Sequence, residues 1–390
     1  MLLLPFNLTS RRFAFLLPAY FAGFTFVAVA APSDENQQFK GLIREPLMLR
    51  VTLANGQPAL LDAFVTRPVG AKRWPVALLT NGTTGTAEFD RWVINPDRES
   101  GAALAFARHG YAAVVVLREG YGYSSGGAEY TGGTCAHPQH ELAGKQDAMD
   151  LLGALKAIRH QAWASRHEAI LAGMSAGGFG VLAAGARNPS GVQAIINFDG
   201  GRGGVEGKAL CDEPGLMKAF AAYGAASRIP TLWLYSQNDK LFSPQTGRSF
   251  YDIYTSSGGR ASFVMMPPYG ENGHVFMDSA PESFWWQQVA DFLSKHGLPY
   301  KQKIAVSVKN MKVPDALNNA AGIAAFRKYE SAQLYEKAFA IDPKGDWGVS
   351  YWARTKNEAA AAALKSCRKH EQDAEDKCAV YAINNTIMSR

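Results

Sequence analysis

Ser175, Asp239 and His274 are the residues whose types and settings could do chemistry together. Ser175 is the centre of Gly173-Met174-Ser175-Ala176-Gly177, led in by the apolar run Ala169 to Ala172 and followed by a small-residue helical pattern. A strand that reverses into a helix within a few residues strains its central residue, and flanking glycines avoid the clash that side chains would cause. The hydroxyl is thereby held out at the sheet's edge. The next backbone N–H, that of Ala176, opens a helix N-terminus, where free amide donors and the helix dipole favour a developing oxyanion. Asp239 closes Ser236-Gln237-Asn238-Asp239 after the strand-like run Thr231 to Tyr235, and His274 closes Gly270-Glu271-Asn272-Gly273-His274 after the run Ala261 to Met266. A serine hydroxyl is a poor nucleophile until an adjacent base takes its proton. An imidazole can take it, and a carboxylate orients that imidazole and stabilises its cation. Asp239 and His274 both fall just past the carboxyl ends of expected strands, the edge where open parallel sheets gather ligands.

Each assignment has a plainer competitor. Ser175 could be a buried turn serine. His137 and His140 compete with His274 as the base, since their loop could cover the site; the other histidines sit on or beside expected helices or in the C-terminal region. Asp199, after Phe198, is the alternative acid, or else a loop aspartate bonded to the amides of Gly200 and Gly201. Tyr121 and Tyr123 lie on a glycine-rich turn, where they could line a substrate pocket or simply pack.

The order Ser, Asp, His is that of the α/β-hydrolases, and the sequence resembles the serine hydrolases of that superfamily, nearest the dienelactone-hydrolase-like and prolyl-oligopeptidase-like branch. The resemblance covers roughly residues 45 to 298. It includes Asn81-Gly82-Thr83-Thr84-Gly85, standing where the family carries an H-G-x-x-G oxyanion loop, and Arg118-Glu119-Gly120-Tyr121-Gly122-Tyr123-Ser124, similar to its R-G-x-G-x-S turn. Asn81 replaces the usual histidine, which leaves the Thr83 amide as the implied second oxyanion donor beside that of Ala176. Ser175 stands where true dienelactone hydrolases have cysteine, so their substrate does not carry over. The resemblance implies acyl transfer to water, on a carboxylic ester rather than a peptide, because peptidases of this branch commonly carry a large substrate-screening domain. An exopeptidase or amidase is the alternative, and a non-catalytic binding or cell-envelope protein on the same scaffold is the alternative from another class.

The elements that must position these residues alternate. Pro46 to Leu53 and Ala59 to Val65 read as a hairpin turning at Asn55-Gly56. Val76 to Thr80, Ala112 to Leu117, Ala169 to Ala172, Val192 to Asn197, Thr231 to Tyr235 and Ala261 to Met266 then alternate with helical patterns near residues 100 to 109, 140 to 161, after Ser175 and 282 to 296. Such alternation implies a mostly parallel eight-stranded sheet with helices on both faces. Two long glycine-rich connections interrupt it, Gly120 to Pro138 and Asp199 to Pro214.

Residues 1–30 read as a signal peptide, with a basic front, an apolar stretch from Phe13 and the exit Ala28-Val29-Ala30; an uncleaved anchor is the competing reading. Removing the leader with Arg11 and Arg12 lowers the formal charge from +6 to +4, too little and too scattered for a nucleic-acid partner. The expected partner is a small-molecule or acylated substrate, in the periplasm or outside the cell, with no stable membrane partner after cleavage. The catalytic domain spans 31–298, a linker 299–316, and a small α+β domain 317–390. The last contains a helical pattern from Leu317 to Ala338, the stretch Gly345-Asp346-Trp347-Gly348, an alanine-rich helix Asn357 to Lys369 and the run Cys378 to Asn384; it resembles a family of small secreted bacterial domains of unknown function, and that resemblance implies a turn at Trp347-Gly348. Four cysteines suit an exported chain. Cys135 with Cys211 and Cys367 with Cys378 is the simplest of three connectivities, a plain buried thiol being the competitor for Cys135 or Cys211. No cysteine or histidine spacing implies a metal, and no phosphate-binding fingerprint implies a nucleotide, so no cofactor is expected.

Overall fold

The computed structural model describes residues 39–83, 91, 94–127, 137–306, 310–332, 334, 336–369 and 377–388. The leader, Cys135, Thr84 and Gly85 lie outside them. Strands β1 (Leu42–Thr52) and β2 (Pro58–Pro68) form the antiparallel hairpin, and Gly56 at φ 82° makes the turn that other residues resist. Then follow β3 (Trp74–Thr80), α1 (Ser100–Arg108), β4 (Ala112–Val116), α2 (His140–Ile158), β5 (Ala164–Met174), α3 (Ala176–Gly185), β6 (Val192–Phe198), α4 (Glu213–Ala226), β7 (Thr231–Ser236), α5 (Pro244–Ser256), β8 (Ala261–Met266), α6 (Phe276–Ser279) and α7 (Glu282–Lys295). The eight strands lie in the order β1-β2-β4-β3-β5-β6-β7-β8, parallel from β4 to β8.

The central strands are buried on both faces, as parallel strands between helix layers must be. Along β4, Ala112, Val114 and Val116 join the core under α2, α3, α4 and α5, while Ala113 and Val115 join the core under α1 and α7. Trp285 and Trp286 of α7 are both buried, Trp286 stacking on His109. From β3 the chain crosses to β4 on one side and later to β5 on the other, so the carboxyl ends of β3 and β5 flank a topological switch point. Helices α4 and α5 were not expected from the sequence; Asp212 and Ser243 cap their N-termini, each with proline in the first turn.

One buried acid has a consequence for stability. Glu99, just ahead of α1, is fully buried, and its carboxylate oxygens find no hydrogen-bond partner among the described residues. Burial first, then the charge of Asp278, push its pKa from 4.5 to about 8. The folded state therefore holds a proton that the unfolded chain releases between those values, and stability falls as pH rises through that window. Glu99→Gln is expected to raise Tm more at pH 9 than at pH 5. An equal change at both pH values, measured by circular dichroism, would contradict this.

The second unit is separate: α8 (Ala320–Ser331), β9 (Ala338–Ile341), β10 (Trp347–Ser350), α9 (Lys356–Cys367), β11 (Ala379–Ile383) and β12 (Thr386–Ile387), with an antiparallel sheet ordered β10-β9-β11-β12. Strand β9 alternates, sending Phe339 and Ile341 toward α8 and Ala338 and Ala340 toward α9. Trp347-Gly348 opens a strand rather than a turn. Its glycine is there for close approach, since a Cβ on Gly348 would lie 2.2 Å from the Cys367 nitrogen. The helical reading of Leu317 to Ala338 shrinks to α8, because Ala332 is extended and Ala338 begins β9. A disulfide joins Cys367 at the end of α9 to Cys378 before β11. Residues 299–306 hold no helix or strand, yet Tyr300, Ile304 and Val306 pack on the α1 and α7 core, and Lys303 and Ile304 donate their amides to the Arg108 carbonyl.

Candidate active site

Strand β5 ends at Met174 and α3 begins at Ala176, leaving Ser175 alone in the reversal at φ 55° and ψ −122°. A non-glycine residue there is strained and persists only where its surroundings hold it. They do: the Ser175 amide donates to the Phe198 carbonyl at 2.9 Å, and its own carbonyl accepts from Phe179 and Gly201 at 3.0 Å each. The flanking glycines are required by crowding. A Cβ on Gly173 would lie 2.4 Å from the Gly177 backbone, and one on Gly177 would lie 2.4 Å from the Asn81 carbonyl.

That last contact brings the end of β3 against the same turn. Gly82 passes so close that an added Cβ would lie 3.0 Å from the Ser175 Cβ. Asn81 donates its side-chain amide to the Gly82 carbonyl, curling around its own segment, and Thr83 follows half-buried. Beneath them lies Arg118, fully buried, whose Nη1 donates to Thr80 Oγ1 at 2.8 Å and to the Asn81 carbonyl at 2.7 Å. Asp147 of α2 pairs with Arg118 at 3.2 Å and with Arg202 at 3.3 Å, tying the connections after β3, β4 and β6 to one carboxylate.

Asp239 and His274 meet. The Asp239 Oδ1 accepts the amides of Leu241 at 2.7 Å and Phe242 at 2.9 Å, which turns Oδ2 to His274 Nδ1 at 2.8 Å. Both residues are nearly buried, and the contact fixes which ring nitrogen is left to act. His274 sits in a 3-10 turn capped by Asn272. Gly273 lets this turn press on the end of β7, for its Cβ would meet Ser236 Oγ at 2.0 Å and Asn238 Oδ1 at 2.3 Å. Asn238 laces the two connections together by accepting the Tyr269 amide and donating to the Gly270 carbonyl. Phe242 packs edge-on to the His274 ring and presses on Gly201, whose amide holds the Ser175 carbonyl. Asn238 and Phe242 carry no sequence signal, since both act only through residues distant along the chain.

Asp199 lies behind this pair, fully buried at φ 45°, its Oδ1 accepting the Ser236 amide rather than those of Gly200 and Gly201. Burial first and the neighbouring Asp239 charge second raise its pKa well above the ordinary aspartate value, favouring the neutral carboxyl. His140 is buried 3.5 Å from Asp212, with its pKa lowered mainly by burial, and His137 is exposed. Tyr121 is buried with Ile94 and Leu117, under the guanidinium groups of Arg91 and Arg118, whereas Tyr123 is 61% exposed. Among the described residues, no three of His, Cys, Asp or Glu gather as a metal-binding group. Among the same described residues, no helix is long and apolar enough to cross a membrane.

A doubly covered, mostly parallel eight-stranded sheet with a strained serine turn at its carboxyl edge defines an α/β-hydrolase of the serine type. Residues 56–314 match the family model of the X-Pro dipeptidyl-peptidases (S15 family), and the chain belongs to that family. Residues 337–389 match a domain of unknown function, DUF4189. Among solved structures, the chain is similar to an acylaminoacyl peptidase from Pyrococcus horikoshii at 17% identity, TM-score 0.47, covering 68% of this chain and 43% of that one. It is also similar to an acetyl xylan esterase from Paenibacillus sp. R4 at 16% identity, TM-score 0.46, covering 66% and 85%. A third is an esterase from Pyrococcus furiosus at 14% identity, TM-score 0.46, covering 69% and 97%. No curated protein matches the chain.

Proposed function

We propose that the protein is an exported serine hydrolase that transfers an acyl group from a carboxylic ester to water. The observation that carries this reading is the 2.8 Å contact between His274 Nδ1 and Asp239 Oδ2, at the same sheet edge as the Ser175 turn. His274, held by Asp239, takes the Ser175 proton through Nε2 as the Ser175 oxygen attacks the carbonyl carbon. The amides of Thr83 and Ala176 receive the oxyanion. Collapse of the tetrahedral intermediate expels the alcohol, protonated by His274, and leaves an acyl-serine. Water then attacks that ester, with His274 again as base, releasing the acid and restoring Ser175. The signal-like segment ending at Ala30 and the Cys367–Cys378 disulfide support export.

A second reading is an exopeptidase that releases X-Pro dipeptides, and membership of the S15 family favours it. The small size of the C-terminal addition favours the ester. A panel of acyl esters and aminoacyl-proline anilides separates the two through kcat/KM. Ester hydrolysis is expected to exceed cleavage of any X-Pro anilide by at least tenfold, and the reverse order would replace esterase by peptidase.

A further inference from the structure

A small domain behind a linker, as residues 317–390 read from the sequence, would ordinarily make modest contacts spread over its neighbour. Its contacts are concentrated at one place instead. Arg354, in the connection between β10 and α9, faces Asp62 of β2 with two nitrogens, Nη1 at 3.2 Å from Oδ1 and Nη2 at 2.5 Å from Oδ2. The same Nη2 reaches the Ile94 carbonyl at 3.5 Å, and Asn95 donates its side-chain amide to the Trp352 carbonyl at 2.8 Å. Arg44 of β1 joins Asp97 to Glu336 of the C-terminal unit. Glu336 and Trp352 are both at positive φ, 49° and 57°. Non-glycine residues keep such conformations only when neighbouring contacts over-determine them, so this face is built to dock.

What it docks on leads to the serine turn. Asp62 Oδ2 accepts the Tyr123 amide at 3.0 Å, and the Arg354 guanidinium lies 3.8 Å over the Tyr123 ring. Gly122, at φ 52°, is pressed between them, where an added Cβ would meet Asp62 at 2.7 Å and Arg354 at 2.8 Å. The other end of this turn is Arg118, whose guanidinium holds the Asn81 carbonyl one residue before Gly82, which abuts Ser175. Ile94 and Asn95 are the other residues of the catalytic unit gripped here. Arg354 thus reaches Asn81 and Gly82 through Asp62 and the Arg118 turn, and touches the Ile94 carbonyl directly. Removing the guanidinium would also leave Asp62, 3% exposed, with a buried charge and one amide for company.

We infer that the C-terminal domain is a working part of the hydrolytic site, with Arg354 a positioning residue that fixes, through Asp62 and the turn from Arg118 to Ser124, the backbone carrying the Thr83 oxyanion donor. This rests on the proposed role of that donor. An oxyanion contact strengthens in the transition state, so its misplacement lowers kcat while leaving ground-state binding nearly unchanged. Full-length Arg354→Ala should lower kcat on a small soluble ester by about 10- to 100-fold, with KM changed less than about threefold. Arg354→Lys, which keeps the charge but not the two-pronged geometry, should fall between it and the wild type. If Arg354→Ala does not fold cooperatively, the lysine variant alone carries the comparison. Wild-type protein is treated in parallel with a fluorophosphonate and the adduct located by mass spectrometry. An adduct at Ser175, with wild-type kcat retained within twofold by the folded variants, would overturn the inference and leave the proposed function standing. Absence of a Ser175 adduct on wild-type protein would overturn both. A purely structural contact would lower Tm without splitting kcat from KM.

Discussion

Asp239→Asn is expected to lower kcat/KM by about 10⁴-fold, the size of effect seen when such an acid loses its charge and its imidazole takes the wrong tautomer. Asp239 Oδ2 is the group that holds His274 Nδ1, and Oδ1 is committed to two backbone amides. An asparagine amide in that place can present a donor where the imidazole N–H needs an acceptor. Asp199→Asn makes the controlling comparison. Because burial and the nearby Asp239 charge favour the neutral carboxyl at Asp199, a neutral amide of the same shape is expected to change little, and its oxygen can still accept the Ser236 amide. Activity within about threefold of wild type is expected, without the pH shift that a lost charge beside His274 would bring. A severe loss in Asp199→Asn with a mild one in Asp239→Asn would move the acid to the end of β6.

Ser175→Ala is the second large effect. Turnover should fall by several orders of magnitude, leaving on the order of 10³ to 10⁴ over the uncatalysed reaction from oxyanion stabilisation and binding. The fold should survive, because the bonds that hold this turn are made by the Ser175 backbone, and alanine keeps the same Cβ. Retention of more than about a tenth of the wild-type rate by a pure preparation would remove Ser175 from the mechanism.

The architecture was legible because its central strands are short continuous apolar runs. Ala112 to Val116 and Ala169 to Ala172 are buried on both faces and have no polar side to disguise them. The same runs show where the chain reaches the carboxyl edge, which is why Ser175, Asp239 and His274 stood out together. Helices α4 and α5 were missed although Asp212 with Pro214 and Ser243 with Pro244 are sound helix-start signals. The glycine-rich stretch before α4 masked the first of them. The turn at Trp347-Gly348 was implied by the family resemblance alone, whereas here the glycine lies in β10 and admits α9 against it. Pairings such as Arg354 with Asp62, 292 residues apart, leave no periodicity to read. The same holds for Asn238 bridging to Tyr269 and for the raised pKa of Asp199, both of which depend on tertiary packing alone.

The most direct measurement is the site and rate of fluorophosphonate labelling, because the reagent reacts only where a serine is activated by a base and its phosphonyl oxygen finds oxyanion donors. Intact-mass and peptide mapping of the full-length protein should find one adduct, on the peptide carrying Ser175, lost in Ser175→Ala and formed far more slowly in His274→Ala. A folded wild-type protein that takes no label, or takes it on a residue other than Ser175, would contradict the assignment of this chain as a hydrolase acting through Ser175.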